Sequence, residues 1–255
     1  MKIGLLSDIH GNALALKAVL DSAKNKGVEM LCIAGDFVGY YYHPEVVLQL
    51  LESWRVCAVR GNHEEMLADV LEDPSRLENF GMLYGSGLKQ AVLNLTKNQL
   101  EYLCTLPETQ VVDVDGRRIF LAHGAPWSTD YYIYPDAKRQ VFEKACLLGG
   151  DVLVLGHTHY AMKKQVGTTL IVNPGSVGQP RDRVPGAAWA MLDTSTLGLI
   201  YYRETYDKSV VVAEVTERDP SLPYLSEVLV RTHSSSNGSS STCASSVFWE
   251  PARTR

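Results

Sequence analysis

The sequence predicts an α/β protein built around a parallel sheet that is buried on both faces. Its first sixty residues alternate short apolar runs with amphipathic segments in the order β-α-β-α-β, and crossover helices of this kind join parallel strands. The apolar runs show no alternation with polar residues, which is typical of strands covered on both sides. A chain of 255 residues is long enough for one large domain with a substantial core.

The first elements follow from apolar periodicity and from local start signals. Apolar residues recur at helical spacing after Asn12, a residue type that caps helix N-termini. Pro44 opens the next helical segment, in the first turn where its missing N–H is tolerated. The order is therefore a strand at 2–7, a helix at 12–26, a strand at 30–34, a helix at 44–54 and a strand at 56–59.

The middle of the chain is predicted to be mostly helical. Residues 64–106 have a helical pattern broken at Asp73-Pro74 and near three glycines, and we expect an inserted helical cap there. Asp115-Gly116 has the composition of a tight hairpin turn between two strands. These strands are placed at 109–114 and 118–122, a helix within 137–147, and further strands at 152–155, 170–172, 187–192, 199–205 and 210–215.

The last part of the chain differs in composition from the rest. Residues 234–246 are nearly all Ser, Asn, Gly, Thr and Ala, which bury too little apolar surface to offset the entropy lost on ordering. We therefore expect a main domain over 1–216, followed by a weakly ordered Ser-rich tail over 217–255.

Composition excludes several classes of protein. A net charge of −5 argues against binding of duplex nucleic acid, which needs clustered Lys and Arg. No apolar run approaches the length of a membrane span, and the N-terminus lacks the features of a signal peptide, so we expect a cytoplasmic protein. The five cysteines form no Cys-x-x-Cys pair, which argues against a disulfide framework or a thiolate zinc site. The sequence gives no indication of the oligomeric state.

Polar side chains that bind metals follow five of the predicted strands. Five of the seven histidines lie in these segments, which together offer carboxylate, imidazole and amide ligands for two divalent cations. Each segment alone has an ordinary explanation, as a turn, a helix N-cap or a hydrogen-bonded core histidine. Their conjunction at strand ends in one chain favours a metal site. The segments are Asp8-Ile9-His10, Gly35-Asp36, Gly61-Asn62-His63-Glu64, His123-Gly124 and Gly156-His157-Thr158-His159.

The order of these motifs resembles the calcineurin-like metallophosphoesterase superfamily, in particular a branch of small bacterial and archaeal phosphoesterases. The resemblance covers Lys2 to about Tyr206 and rests also on Ser7-Asp8-Ile9-His10-Gly11-Asn12, Val59-Arg60-Gly61-Asn62-His63 and the stretch 173–182. It implies a four-layer α/β sandwich, in which helices flank two mostly parallel or mixed sheets, with the inserted cap added.

The resemblance also implies a ligand set and a catalytic pair. One metal would be held by Asp8, His10, Asp36 and His159, and the second by Asp36, Asn62, His123 and His157, so that Asp36 bridges the two. The cofactors would be two divalent ions, with Mn expected first and Fe, Zn, Mg, Ni or Co as alternatives. His63 would give a proton to the leaving group, and Glu64 would orient His63.

The expected activity is that of a phosphodiesterase acting on a small phosphoester, including a nucleotide ester. A hydroxide bridging the two ions would attack phosphorus. A phosphomonoesterase, a protein phosphatase, a nuclease and a non-catalytic metal-binding scaffold are the alternatives. Scaffold members of the superfamily have lost ligands or the proton donor, whereas this chain retains all of them.

Substrate contacts are less well defined by the sequence. Arg60 and Arg181 flank the motif loops and either bind phosphate oxygens or form ordinary ion pairs. Asn173 is expected to support the histidine ligands by hydrogen bonding. The aromatic residues of 127–134 either form a lid that stacks on a nucleobase or cover a core. Tyr41-Tyr42-His43 replaces the Gly and small polar residues more common in relatives, a departure that concerns substrate contacts and not metal binding.

Overall fold

The computed structural model describes residues 1–232, which form two stacked sheets with helices on both outer faces. The strands are β1 (Lys2–Leu6), β2 (Met30–Ala34), β3 (Val56–Val59), β4 (Thr109–Val114), β5 (Arg117–Ala122), β6 (Val152–Val154), β7 (Met162–Val166), β8 (Thr169–Asn173), β9 (Ala187–Asp193) and β10 (Gly198–Glu204). The helices are α1 (Ala13–Asn25), α2 (Pro44–Leu51), α3 (Asn62–Glu72), α4 (Arg76–Tyr84), α5 (Gly87–Asn94), α6 (Lys97–Thr105), α7 (Arg139–Ala145), α8 (Lys208–Arg218) and α9 (Tyr224–Val230).

Both sheets are mixed, with parallel strands at their centres. The first has the order β10-β9-β1-β2-β3, in which β1, β2 and β3 are parallel, as the sequence predicts, and β9 and β10 are antiparallel additions from the end of the chain. The second has the order β4-β5-β6-β8-β7, with β5, β6 and β8 parallel and antiparallel strands at both edges. The parallel strands of each sheet therefore end at a common edge, which is where loops can meet.

Apolar side chains fill three layers between these elements, which confirms the four-layer sandwich. Residues such as Leu5 and Leu121 meet between the two sheets. The outer face of the second sheet packs against α7 through Phe142. On the outer face of the first sheet, the helical segment at 64–106 contributes Leu67 and Leu88 to the same cluster as α1 and α2. This segment is helical as expected, but most of it belongs to the helix layer and is not a separate cap.

Two strand assignments from the sequence differ from the structure. Residues 210–215 were expected to form a strand because of their valines, but they lie in α8. Asp207 caps this helix by accepting a hydrogen bond from the Ser209 N–H, and Val211 and Val215, one helical turn apart, are its buried residues. Strand β7 was not expected, because only Met162 among its residues is buried and no apolar run marks it.

The expectation of weak packing after residue 217 is wrong for the segment that ends with α9. Leu225 and Leu229 of α9 are buried with the tyrosines that follow β2. The Tyr41 hydroxyl donates to the Leu225 carbonyl oxygen at 2.9 Å. Apolar residues four apart give α9 a face that can be buried, and this outweighs the polar composition around it. The Ser-rich stretch itself lies outside the described residues.

Asp219 joins this C-terminal segment to two loops beside the strand ends. It is 9% exposed and accepts hydrogen bonds from the Tyr42 hydroxyl at 2.8 Å and from the Ser86 hydroxyl and N–H, both at 2.9 Å. We expect Asp219→Ala to lower the free energy of unfolding by about 3 kcal/mol, because it leaves buried donors without acceptors. Asp207→Ala, which removes an exposed helix cap, should cost only about 1 kcal/mol. Urea unfolding measures both, and equal losses would contradict this role of Asp219.

Two further observations concern the compositional predictions. The cysteines within residues 1–232, namely Cys32, Cys57, Cys104 and Cys146, are free thiols. Cys243 lies outside the described residues. No helix in the described part of the chain combines the length and the apolar character needed to cross a membrane.

Candidate metal centre

The seven residues predicted to bind metal lie directly after β1, β2, β3, β5 and β6, six of them in loops and Asn62 as the first residue of α3. The carboxyl ends of these strands meet at one edge of the sandwich, so the two sheets contribute to a single site. All seven side chains are buried, and none is more than 8% exposed. They are Asp8, His10, Asp36, Asn62, His123, His157 and His159.

The backbone at this edge adopts an uncommon conformation. Five of the seven residues have φ values between 52° and 65°, namely Asp8, His10, Asp36, His157 and His159. Positive φ is unfavourable for residues other than glycine and persists only where surrounding contacts fix it. The fixing contacts cross between loops, since the Asp8 N–H donates to the Gly35 carbonyl at 3.1 Å and the His157 N–H donates to the Asp8 carboxylate at 3.1 Å. This backbone conformation directs the side chains of the five residues toward the two clusters described next.

The side chains form two clusters that share Asp36. Asp8, His10, Asp36 and His159 make the first, and Asp36, His123 and His157 the second. Asp36 Oδ2 lies 3.6 Å from His10 Nε2 and 3.2 Å from His123 Nε2. Asn62 joins the second cluster, with its Oδ1 3.1 Å from His123 Nε2. The structure thus brings together every predicted ligand, in the two groups that the resemblance implies.

The chemistry of these donors fits divalent cations. Carbonyl oxygens lie 3.0 Å from His10 Nδ1 and 2.6 Å from His159 Nδ1. A carbonyl only accepts, so Nδ1 carries the hydrogen, and in the neutral rings the two Nε2 atoms face each other with lone pairs at 3.1 Å. His157 Nε2 is buried without a hydrogen-bond partner among the described residues. A cation between such atoms removes the repulsion and supplies the missing partner.

The histidines of the site differ in the direction of their pKa shifts. Burial lowers the pKa of His10 and of His157 well below the usual range, which leaves the neutral imidazole that metals bind. Burial also disfavours the charged form of His123, but the Asp36 and Asp8 carboxylates and the Ala34 carbonyl together outweigh it and raise the pKa to about 10. A divalent ion held there would compete with a proton for His123.

Glu64 acts on the backbone and not on His63. Its carboxylate accepts hydrogen bonds from the N–H groups of Asp36, Phe37 and Gly61 at 2.8 Å each, and of Val38 at 3.2 Å. Burial and then the Asp36 charge raise the Glu64 pKa to about 7, whereas the four donors favour its ionised form. This geometry differs from the orienting role that the resemblance implies, because the carboxylate clamps the loop that carries Asp36. Gly61 must be glycine, since any β-carbon there would collide with the Asp36 carboxylate.

His63 lies beside the first cluster and is fully enclosed. Its ring centroid is 4.7 Å from that of His10, and the chain at Gly39 packs so closely on the ring that a β-carbon would collide with Nδ1. The His63 backbone N–H donates to Asp36 Oδ1 at 3.0 Å, which sets the ring next to the carboxylate that the two clusters share. Burial lowers the His63 pKa to about 4, so the ring is neutral at neutral pH, and an anionic phosphate beside it would favour the protonated form.

The two predicted arginines lie in different environments. Arg60 forms ion pairs with Glu108 at 2.6 Å and Glu65 at 3.5 Å, the ordinary alternative stated above. Arg181 lies at the site, where its guanidinium donates to the Tyr40 hydroxyl at 2.9 Å. Burial lowers the pKa of His159, and the positive charge of Arg181 is the second-largest cause of that decrease. Of the two, only Arg181 lies beside the candidate ligands.

The Asn173 side chain forms hydrogen bonds with the loop that carries His157 and His159. Its Nδ2 donates to the Gly156 carbonyl at 2.7 Å and to the Thr158 hydroxyl at 3.1 Å. These contacts bracket His157 and hold the His157–His159 segment in place. These hydrogen bonds reach the loop and not the imidazole rings.

Three tyrosine rings lie against the candidate ligands and His63. Tyr40 contacts the rings of His10 at 4.6 Å and His63 at 4.8 Å, and Tyr84 contacts His63 at 5.3 Å between centroids. Among the aromatic residues of 127–134, Tyr132 lies on the His157 ring at 3.9 Å. Tyr132 belongs to the aromatic stretch that the sequence offered as a lid or a core cover, whereas Tyr40 precedes the departure Tyr41-Tyr42-His43 and had no signal of its own. Tyr84 had none, because its position depends on the packing of α4.

Comparison with known proteins agrees with this site. The profile of the calcineurin-like phosphoesterase superfamily domain matches residues 1–197, and the chain belongs to that superfamily. Its fold, its paired Asp and His clusters and its family define it as a metal-dependent phosphoric ester hydrolase.

Several relatives are similar over most of their length. The phosphodiesterase YfcE of Escherichia coli K12 is 29% identical over 210 residues, which are 78% of this chain and 91% of that protein. The uncharacterized protein MJ0912 of Methanocaldococcus jannaschii is 28% identical over 222 residues, 80% of this chain and 88% of that protein. The crystal structure of a metallophosphoesterase from Sphaerobacter thermophilus superimposes with a TM-score of 0.71 at 25% identity, covering 89% of this chain and 99% of that one.

Proposed function

We propose that this protein hydrolyses small phosphodiesters with two divalent ions as cofactors, with manganese as the first candidate. The observation that carries the proposal is the pair of buried Asp and His clusters that share Asp36. Support also comes from relatives named phosphodiesterases, among them YfcE and MJ0936 of Methanocaldococcus jannaschii, the latter 24% identical over 178 residues. When bound, two such ions lower the pKa of a bound water and neutralise the charge on the phosphate oxygens.

The protein's own residues would orient the ester and supply the proton. Arg181 would bind non-bridging phosphate oxygens, because its guanidinium is held by Tyr40 and Gln179 and is only partly exposed. His63 would give a proton to the departing oxygen, a role supported by its enclosed position between His10, Tyr40 and Tyr84. Glu64 would act as a positioning residue that fixes the loop of Asp36.

The enclosure of the site favours a small substrate. The ligands are buried, and Tyr40, Tyr84 and Tyr132 cover them from three different segments. A loop of a folded protein would have to displace these rings, whereas a small ester needs less room. We therefore favour hydrolysis of a small diester over protein phosphatase activity. A nucleotide ester remains within the proposal, since a base can stack on exposed tyrosines.

The test compares three substrates on protein stripped of metal and then supplied with Mn²⁺. These are bis(p-nitrophenyl) phosphate, p-nitrophenyl phosphate and diadenosine tetraphosphate, with Asp36→Asn as the blank. We expect turnover of the aryl diester that depends on Mn²⁺, exceeds turnover of the monoester and is absent from the blank. Faster turnover of diadenosine tetraphosphate would identify a nucleotide substrate. Folded, metal-loaded protein that hydrolyses none of the three would overturn the proposal.

A further inference from the structure

A carboxylate outside the ligand set stands at the mouth of the metal centre. Asp130 Oδ1 lies 3.8 Å from His157 Nε2, the ring nitrogen that lacks a hydrogen-bond partner in the described part of the chain. The Asp130 side chain is 73% exposed, whereas that of His157 is 3% exposed. Asp130 is therefore a solvent-exposed carboxylate directly beside a buried candidate ligand, and we call this edge of the site, at Asp130 and His157, its mouth.

The position of Asp130 is set by a well-connected turn. Ala125 and Ser128 exchange backbone hydrogen bonds of 2.9 and 3.1 Å just before it. The adjacent Thr129 is buried, and its hydroxyl donates to Glu65 of α3 at 2.8 Å. These contacts anchor the turn to the helix that begins at Asn62. The negative charge at the mouth is thus part of the folded site.

Groups of opposite charge lie near different ligands of the centre. Arg181 is held by Tyr40 on the side of His159, and Asp130 lies on the side of His157. The pKa of Tyr84 is raised by burial first, then by Tyr40 and then by Asp130. The Tyr84 ring contacts His63, so the negative charge of Asp130 acts on groups beside the candidate ligands. A phosphate reaching the centre passes a favourable guanidinium and an unfavourable carboxylate.

We propose that Asp130 is a specificity-determining residue that disfavours doubly charged phosphomonoesters relative to singly charged phosphodiesters. The proposal rests on the phosphoesterase function proposed above and names the substrate charge that the site selects. A diester carries one negative charge, whereas a monoester carries nearly two above about pH 7. Repulsion from Asp130 therefore acts about twice as strongly on the monoester. Bound ions would also attract the monoester more strongly, but neutralising Asp130 leaves that attraction unchanged, so the change in preference reports on Asp130.

The first test is Asp130→Asn, which removes the charge and keeps the shape. At pH 8 we expect the ratio of kcat/KM for p-nitrophenyl phosphate to that for bis(p-nitrophenyl) phosphate to rise about tenfold, equivalent to about 1.4 kcal/mol. Asp136→Asn, which neutralises an exposed carboxylate on the same segment, serves as the matched control and should leave the ratio unchanged. Asp130→Glu, which keeps the negative charge, should keep the substrate preference of the unmodified protein.

The second test does not depend on turnover. Binding of inorganic phosphate and of dimethyl phosphate to the Mn²⁺-loaded protein is measured by calorimetric titration, with metal content determined on the same samples. We expect Asp130→Asn to strengthen binding of phosphate about tenfold more than binding of dimethyl phosphate, with two ions retained. If the protein hydrolyses nothing, this measurement still decides the role of Asp130.

Three outcomes would overturn the inference. The first is an equal effect of Asp130→Asn on singly and doubly charged ligands, since a charge filter must separate them. The second is loss of a bound ion from Asp130→Asn, which would make Asp130 a metal ligand. An effect of Asp136→Asn equal to that of Asp130→Asn would likewise assign the selectivity to overall charge and not to the mouth.

Discussion

Replacing Asp36 by Asn is expected to remove both divalent ions and to lower phosphodiester hydrolysis by more than about 100-fold. Asp36 belongs to both clusters, and its Oδ2 lies within 3.6 Å of a metal-facing nitrogen in each. Even residues that only support metal ligands contribute 10- to 100-fold to affinity or activity, so loss of a shared carboxylate should exceed that range. Metal content by mass spectrometry and turnover on the same sample measure the effect.

Asp8→Asn is the matched control for this prediction. Asp8 is also a buried carboxylate at a strand end with positive φ, but it belongs to the first cluster alone. We expect it to lose mainly one ion and to keep the other. An Asp36→Asn protein that still binds two ions would contradict the shared role of Asp36, provided circular dichroism shows that it is folded.

Removal of the His63 ring is expected to slow hydrolysis in proportion to the leaving group's need for a proton. General acid catalysis by a positioned side chain contributes about 100- to 10000-fold. We expect His63→Ala to lose activity in that range on alkyl diesters, whose alkoxide departs poorly without a proton. With p-nitrophenyl diesters the loss should be less than about tenfold, since p-nitrophenolate departs unprotonated.

Metal content separates this role from a structural one. His63 is adjacent to Asn62 in the chain, so the variant must be shown to keep two ions before its rates are interpreted. Equal losses on alkyl and p-nitrophenyl esters would remove His63 from the acid role. His63→Gln keeps a polar side chain without an acidic proton and should behave as the alanine variant does.

The ligand-bearing loops could be predicted from the sequence because each follows a short apolar strand. Parallel strands place their carboxyl ends at one edge, so Asp8, Asp36 and Asn62 had to converge once β1, β2 and β3 were assigned. The four-layer arrangement came from the resemblance, since periodicity alone does not show how two sheets stack. Local sequence patterns were sufficient for these loops because each short segment both ends a strand and carries candidate ligands.

Other features depend on contacts between distant parts of the chain. The valines of α8 have high strand propensity, and only their packing on Tyr41 and Tyr42 with α9 makes that segment a helix. Glu64 was expected to orient His63 because it is its neighbour in sequence, yet its carboxylate reaches back to the loop after β2. Asp130 lies in an irregular segment whose path is set by Thr129 and α3, which no local pattern encodes.

We propose that two ions held in the clusters that share Asp36 are needed for hydrolysis, and adding metal back to stripped protein tests this. Bound Mn²⁺ and hydrolysis of bis(p-nitrophenyl) phosphate are measured together as the ion is titrated from zero to several equivalents. We expect binding to reach two ions per chain and turnover to rise with the second ion. Full turnover with one ion bound, or no turnover with two, would contradict the account.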